Sequence, residues 1–103
     1  MSYYANSEER AGLIAGLCEL AEYLDQNPDV PAPCCTDLLV FPPAGSDAEM
    51  FTEIDVIAAQ IGTTASDADS PAGHYSAVRG FGPVQYRAVA IPHSARHESE
   101  RAE

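Results

Sequence analysis

The chain has 103 residues, of which 46% are hydrophobic, and its 16 acidic and 5 basic residues give a formal net charge of −11. This length and apolar content predict one compact domain with a modest core and argue against a disordered chain. The negative charge argues against direct binding to nucleic acids or anionic membranes. Three cysteines make no complete disulfide framework, and the first residues lack the basic and apolar runs of a signal peptide, so we expect a cytoplasmic protein.

The first predicted element is a helix that begins at Asn6 or Ser7. Asn6 can cap it, and Glu9 places a carboxylate near the free N–H groups and the positive end of the helix dipole. Pro28 disfavours helical geometry in the residue before it, so the helix should end near residues 26–28. Leucines recur at helical spacing and give this helix one apolar face: Leu13, Leu17, Leu20 and Leu24.

A strand and a second helix are predicted next. Residues 36–41 form a short, apolar run of β-prone side chains that ends at Pro42. We therefore expect this run to form a strand. Ser46 and Glu49 make a capping box for the second helix, and Gly62 can terminate it. The apolar face of this helix repeats at helical spacing: Met50, Ile54, Ile57 and Ile61.

The last predicted element is a β-hairpin over residues 73–91. Residues 63–72 before it are small, acidic and turn-rich, which predicts a loop or at most a short edge strand. Two runs rich in Val, Ile, Tyr and Ala flank a Gly-Phe-Gly-Pro segment at residues 80–83, where glycine allows positive φ and proline favours a turn. Arg79 and Arg87 make this hairpin the only net-positive part of the chain.

The order of elements predicts an α+β fold with the arrangement α-β-α-β-β. We expect a single two-layer domain over residues 1–92, with two helices packed on one face of a small three-stranded sheet that has a C-terminal β-hairpin. The first two strands should be parallel, and the last strand, returning antiparallel, can lie between them. Residues 93–103 are predicted to be a disordered polar tail. The core should combine one face of the hairpin with these residues: Leu13, Leu17, Leu20, Leu24, Leu39, Phe41, Ile54, Ile57 and Ile61.

The other face of such a sheet lacks a helix. Tyr75, Ala77, Val89 and Ile91, or the residues that alternate with them, should occupy it. Because small proteins seldom leave a large apolar face in water, we expect a homodimer or a protein partner at the sheet and hairpin. The candidate interaction residues all lie in or beside the hairpin: His74, Tyr75, Arg79, Phe81, Tyr86, Arg87 and Val89.

Several sequence features occur together along residues 8–92. A leucine-rich first helix ends at an Asn-Pro pair at residues 27–28, a proline-spaced connection follows, and the first strand ends in Val-Phe-Pro at residues 40–42. Gly-His-Tyr at residues 73–75 then precedes the hairpin sequence of residues 81–91. This combination resembles a family of small uncharacterised proteins of actinobacteria and their phages. The resemblance implies an intracellular setting, in a phage or another mobile element, and carries no catalytic or binding residue over to this chain.

Metal-binding and catalytic alternatives rest on few residues. Cys34 and Cys35 with His93 and His97 could supply four soft ligands, but adjacent cysteines chelate zinc poorly compared with a Cys-x-x-Cys pair. Cys34 could act as a nucleophile with His74 as its base, although no spacing orients a third group. We therefore predict no metal ligands, no cofactor and no catalytic residues.

The polar residues of the hairpin also have structural alternatives. His74 and Tyr75 can pack beneath the adjoining connection and satisfy one hydrogen bond. Arg79 and Arg87 could bind a phosphate or an acidic motif, but the simpler account is that they pair across strands with the surplus acids of the helices.

Two functional classes are favoured. The first is a non-enzymatic protein-interaction or regulatory module that acts through the sheet and hairpin. The alternative is an acidic inhibitor whose carboxylates imitate nucleic-acid phosphates and so occupy a DNA-binding protein, which requires two rows of carboxylates at phosphate-like spacing. A small enzyme comes third, because a pocket with convergent polar groups is hard to build from these residues.

Overall fold

The computed structural model describes residues 4–67 and 73–93. The elements are α1 at Ser7–Gln26, β1 at Thr36–Val40, α2 at Asp47–Gln60, β2 at Tyr75–Phe81 and β3 at Val84–Ala90. This order confirms the predicted α+β class. Two compact units divide the chain: Met1–Cys34, which contains α1, and Cys35–Glu103, which contains α2 and the sheet. Within the described residues, no helix combines the length and the apolar character needed to cross a membrane.

Helix α1 has the ends that its sequence predicts. The Asn6 side chain accepts a hydrogen bond from Glu9 N at 2.8 Å, and the Glu9 carboxylate accepts one from Asn6 N at 3.0 Å. At the other end, the backbone N–H and the side-chain amide of Asn27 both donate to the carbonyl of Tyr23, at 3.0 and 2.8 Å. These capping bonds satisfy backbone groups that have no partner within the helix.

The prediction that α1 contributes to the core is wrong. Leu13, Leu17 and Leu20 are 45%, 46% and 54% exposed, Leu24 is half-buried, and no residue of α1 is fully buried. The apolar face forms as the spacing predicts. An amphipathic pattern describes only one side of a contact, however, and it does not specify what the helix packs against.

Helix α2 is capped like α1 but buries its apolar face. Ser46 Oγ accepts a hydrogen bond from Glu49 N, and the Glu49 carboxylate accepts one from Ser46 N, both at 3.1 Å. Gly62, with φ of +73°, follows Ile61 and ends the helix, as predicted. The buried residues of α2 are Met50, Ile54, Ile57 and Ala58.

The sheet has the strand order β1-β3-β2, so β3 lies in the centre as the sequence allowed. β3 pairs parallel with β1 and antiparallel with β2. The prediction that the first two strands are parallel is therefore wrong, because β2 runs opposite to both of its sheet partners.

The path of the chain after α2 explains this reversal. Phe51, near the start of α2, stacks on Tyr75 at the start of β2. Ile61, at the end of α2, accepts a hydrogen bond from Arg79, which lies further along β2. Helix and strand therefore run in the same direction. Ser66 forms an isolated antiparallel bridge with Ser76, so the chain has already returned to the start of β2 at that point.

Small side chains let α2 pack closely on β2 and β3. Ala77, Ala88 and Ala90 are all 0% exposed. The register pairs Tyr75 with Ala90 and Ala77 with Ala88, so these four residues share the face that α2 covers. Val89 alternates with them and lies on the other face. The prediction that grouped Tyr75 and Ala77 with Val89 on an uncovered face is therefore corrected.

The core of this unit is also smaller than predicted. Ile54 is 0% exposed and Ile57 is 6% exposed, as expected. Leu39 and Phe41 are 51% and 39% exposed, and Ile61 is half-buried. Leu39 is in register with Arg87, on the face of the sheet opposite α2, which explains its exposure.

Candidate interaction surface

The hairpin turns through only two residues, Gly82 and Pro83. Phe81 and Val84 form the last pair of the flanking strands. Gly82 has φ of +64°, as the first central residue of a type II′ turn requires, and glycine adopts this conformation without steric cost. Gly80 lies inside β2 without a positive φ, so the turn is tighter than the predicted four-residue segment.

Tyr75 fastens β2 to α2. Its hydroxyl donates a 2.5 Å hydrogen bond to the Asp55 carboxylate, and its ring stacks on Phe51 with centroids 4.8 Å apart. The hydrogen bond to Asp55 raises the pKa of the Tyr75 phenol, and partial burial and the negative charges of Asp55 and Asp67 raise it further. Tyr75 thus makes the one hydrogen bond of its structural alternative, but its ring packs on α2 and not beneath the adjoining connection. His74, just before β2, is half-buried.

Arg79 completes the C-terminus of α2. Its Nη1 donates a 3.3 Å hydrogen bond to the carbonyl oxygen of Ile61, the C-cap residue. The last turn of α2 contains no basic residue, so Arg79 supplies the positive charge that a helix C-terminus favours. The guanidinium carbon also lies 5.3 Å from the centroid of the Phe81 ring, within the range of a cation–π contact.

Arg87 links β3 to β1 on the opposite face of the sheet. Its Nε lies 3.2 Å from Asp37 Oδ2, and its Nη2 donates a 3.2 Å hydrogen bond to Gln85 Oε1. The acid that it pairs with therefore lies on a strand, whereas we expected an acid of a helix. Both arginines of the hairpin are bonded within their own unit, so neither is a free anion-binding group.

Three exposed apolar side chains lie near the hairpin end of the sheet, with Leu38 diagonal to Val84, whose direct partner on β1 is Thr36. We call Phe81, Val84 and Leu38 the hairpin row. Phe81 is 59% exposed, Val84 46% and Leu38 36%. The register pairs Phe81 with Val84, and Leu38 with Tyr86, so the row lies on the same face as α2. α2 covers the alanines further along the strands and leaves the row in solvent.

The remaining candidate residues differ in their exposure. Tyr86 is half-buried and lies beside the hairpin row. Val89 lies on the opposite face. Because it is only 8% exposed, it belongs to the buried core and is not available for contact with a partner. Phe81, Tyr86 and Arg79 are thus predicted interaction residues that lie together on one face of the sheet.

His93 holds the end of the sheet against the start of α2. Its backbone N–H donates a 3.0 Å hydrogen bond to Asp47 Oδ1, and its Nε2 lies 2.7 Å from the carbonyl oxygen of Gly45. His93 is the first residue of the predicted tail. Residues 94–103, on which the rest of that prediction falls, lie outside the described residues.

The alternative metal site does not assemble in the part of the chain that the structure describes. No group of three or more metal-ligating side chains occurs there. Cys34 and Cys35 are free and exposed, as is Cys18. His97, the fourth member of the considered ligand set, lies outside the described residues.

Comparison with known proteins assigns no role to these residues. No protein-family model matches the chain, and no curated protein or solved structure matches it either. The resemblance to proteins of actinobacteria and their phages therefore stays a prediction.

Sequence reasoning missed the partners of the polar hairpin residues. Asp55, the carbonyl of Ile61 and Asp37 are all distant from the hairpin in sequence. One signal was present, because Phe51 and Asp55 are four residues apart and share a helix face. A tyrosine can stack its ring on such a phenylalanine and donate its hydroxyl to such an aspartate. It reaches both only if its strand runs alongside the helix.

Proposed function

We propose that this protein is a non-enzymatic protein-interaction or regulatory module that binds another protein through the hairpin row. The observation that carries the proposal is the exposure of Phe81, at 59%, beside Val84 and Leu38 on one face of the sheet. Exposed apolar side chains grouped on a small domain are typical of protein-binding surfaces, and aromatic residues are enriched there.

The bonding of the polar residues supports binding over catalysis. Tyr75 is bonded to Asp55, and Arg87 is bonded to Asp37. Arg79 caps α2 through the Ile61 carbonyl. These groups hold the unit together, and a catalytic site needs polar groups that converge on a substrate.

The charge of the hairpin indicates what kind of partner it would accept. Arg79 lies on the same face of the sheet as the hairpin row, in a chain whose net charge is −11, whereas Arg87 is paired with Asp37 on the opposite face. A negatively charged protein with an apolar patch would meet less repulsion there than elsewhere on this chain. A second copy of this chain has that charge, and so do many other proteins.

The proposed setting is the cytoplasm. Cys18, Cys34 and Cys35 are exposed free thiols. Such thiols persist in a reducing compartment and tend to oxidise or cross-link outside it.

Affinity capture with matched variants tests the role of the hairpin row. Tagged wild-type protein, Phe81→Glu and Val84→Glu are compared with the control Val56→Glu, which adds the same charge to an α2 residue that is 48% exposed. We expect the same proteins to be recovered by wild type and Val56→Glu and lost with both hairpin-row variants. Each recovered protein is then tested for direct binding to the purified chain.

Two results would contradict the proposal. One is that Phe81→Glu and Val84→Glu recover the same proteins as wild type in equal amounts. The other is that Val56→Glu loses them as completely as the hairpin-row variants do, which would assign the effect to charge alone. Circular dichroism of each variant confirms beforehand that the sheet is intact.

A further inference from the structure

The apolar face of α1 has the repeat of a coiled coil. Leu13, Leu17, Leu20 and Leu24 are separated by four, three and four residues, which places them alternately at the d and a positions of a heptad. Three of these leucines are between 45% and 54% exposed, and the helix buries no residue. The spacing is therefore that of a helix-pairing seam, in which three leucines are exposed and Leu24 is half-buried.

A helix of this kind depends on a packing partner. α1 has 20 residues and is capped at both ends, but most of the stability of a protein helix comes from packing its apolar face. α1 also contains Gly12 and Gly16, each of which lowers helix stability by about 1 kcal/mol relative to alanine. The intrinsic helix propensity of this sequence is thus too low to account for a helix of this length without a packing partner.

The charges of α1 are arranged so that a second copy of the helix can approach. Glu22 lies opposite the leucine seam, and Glu19 and Asp25 lie towards that outer side. The positions that flank the seam beyond the first turn are uncharged: Ile14, Gly16, Ala21 and Tyr23. Flanking residues set which helices can pair, and like charges there would repel. In a chain of net charge −11, this seam is free of the acids that would oppose self-association.

We propose that α1 is a self-association element, in which the leucine seams of two chains pair in an antiparallel coiled coil. The seam is symmetric about its midpoint, so a second copy fits it in reverse. Leu13 then lies against Leu24 of the second copy, and Leu17 lies against Leu20. A two-fold axis relates the two chains, as in most protein dimers, so the assembly stops at two copies.

Three features favour the antiparallel direction. Arg10 lies three residues before Leu13 and so extends the seam by one position. In a parallel pair, the two Arg10 side chains would face each other and repel. In the antiparallel pair, Arg10 reaches the end of the partner helix near Asn27, where the last turn of α1 lacks a basic residue. The flanks also become complementary, because Tyr23 of one helix lies beside Gly16 of the other. An added Cβ at Gly16 would meet no atom within 4 Å in one chain, so that side has room for a ring.

Molar-mass measurement of the full chain tests the pairing. Light scattering after size exclusion should give about twice 10.9 kDa for the wild type and 10.9 kDa for Leu17→Glu, which buries a charge in the seam. Ala15→Glu is the matched control, because it adds the same charge on the side of α1 away from the seam. We expect Ala15→Glu to remain a dimer.

Disulfide trapping tests the direction. In a background with Cys18, Cys34 and Cys35 changed to serine, Arg10→Cys and Asn27→Cys chains are mixed and oxidised. The antiparallel pair predicts a disulfide between the two different chains, and little cross-linking in Arg10→Cys alone. Efficient cross-linking of Arg10→Cys to itself would overturn the antiparallel arrangement, since a disulfide needs Cα atoms within about 7 Å.

Other outcomes would overturn the pairing itself. A wild-type mass of 10.9 kDa at every concentration, with slow amide exchange along α1, would mean that another part of the same chain covers the seam. A dimer that persists in Leu17→Glu but is lost in Phe81→Glu would move self-association to the hairpin row. The α1 proposal is independent of the proposed function, because Leu17→Glu should leave partner capture by the hairpin row unchanged.

Discussion

Helices α1 and α2 begin with the same capping arrangement and differ in what they bury. Asn6 and Glu9 form a capping box in α1, and Ser46 and Glu49 form one in α2. α2 then buries four residues, whereas α1 buries none. The comparison teaches that local sequence signals specify where a helix starts, while burial depends on whether the fold supplies a complementary surface. For α2 that surface is formed by the alanines of β2 and β3.

The largest difference between the helices should appear on truncating one apolar residue in each. Ile54→Ala removes a side chain that is 0% exposed, so we expect it to lower the free energy of unfolding by about 2–5 kcal/mol. Leu17→Ala, 46% exposed, should lower it by less than about 0.5 kcal/mol at concentrations where the chain is monomeric. Urea denaturation, followed by the tyrosine signal, measures both. Equal losses would show that the seam of α1 belongs to the same core.

Removing the two caps should give the next largest contrast. Ser46→Ala should lower the free energy of unfolding of the sheet unit by about 0.5–2 kcal/mol, because α2 is part of its core. Asn6→Ala should reduce the helical circular dichroism signal and leave the unfolding midpoint of the sheet in place. A shift of that midpoint by Asn6→Ala would contradict the division into two units.

The α2 cap also predicts a pH dependence. Hydrogen bonds from the backbone and side chain of Ser46 hold the pKa of Glu49 below its usual value of 4.5. A lowered folded-state pKa contributes stability that is present above pH 4.5 and lost as the pH falls through the folded value. Denaturation midpoints on the acid side should therefore fall less steeply in Glu49→Gln. If the denaturation midpoints of the variant and the wild type fall identically with pH, Glu49 does not contribute to the pH dependence of stability.

The bond between Tyr75 and Asp55 ties α2 to the sheet, and its loss should have a smaller effect. We expect Tyr75→Phe to lower the free energy of unfolding by about 0.5–1.5 kcal/mol, because it keeps the ring on Phe51 and removes the hydroxyl. Tyr23→Phe is the matched control, since Tyr23 is 52% exposed on α1 and should show no change. Chemical denaturation compares the two variants.

Absorbance titration of the tyrosines provides a second measurement of this bond. Tyr75 should ionise above its usual pKa of 10.0, and Asp55→Asn should bring it back. Because the folded-state pKa is raised, the bond stabilises the fold below pH 10 and this contribution is lost as the pH rises through the folded value. A Tyr75 pKa that does not respond to Asp55→Asn would show that the carboxylate is not the cause.

The smallest effect is expected at the ion pair between Arg87 and Asp37. Both side chains are partly exposed, at 34% and 40%, so a double-mutant cycle with Arg87→Met and Asp37→Asn should give a coupling of about 0.2–1 kcal/mol. The coupling should fall as salt is added. A coupling energy that does not change with salt would indicate that the two side chains are more buried than the exposed fractions given above.

The sequence predicted the elements well because their signals are local. The caps at Asn6 and Ser46, the stop at Gly62 and the glycine at the hairpin turn each act within a few residues. The direction of β2 could not be predicted in this way. It depends on the chain returning to the start of β2 at Ser66, and no local signal distinguishes that path from a direct crossover.

The candidate surface was predicted only in part, for a related physical reason. Phe81 could be found because it lies next to the turn, where a helix rarely covers a strand. Leu38 could not, since its exposure depends on α2 packing over β2 and β3. The roles of Arg79 and Arg87 depend on partners distant in sequence, and the exposure of the α1 leucines depends on a surface that their own pattern does not describe.

The central position of β3 sets the order in which this sheet can be made. β3 is the last of the described strands, and β1 and β2 each pair with β3 and not with each other. During synthesis, β1 and α2 leave the ribosome long before β3, so the strand Thr36–Val40 has no sheet partner until residues 84–88 have been added. Joining strands so far apart in sequence is slow compared with hairpin closure. Until then both edges of β1 are unpaired, and only pairing with β3 removes one of them as a site of aggregation.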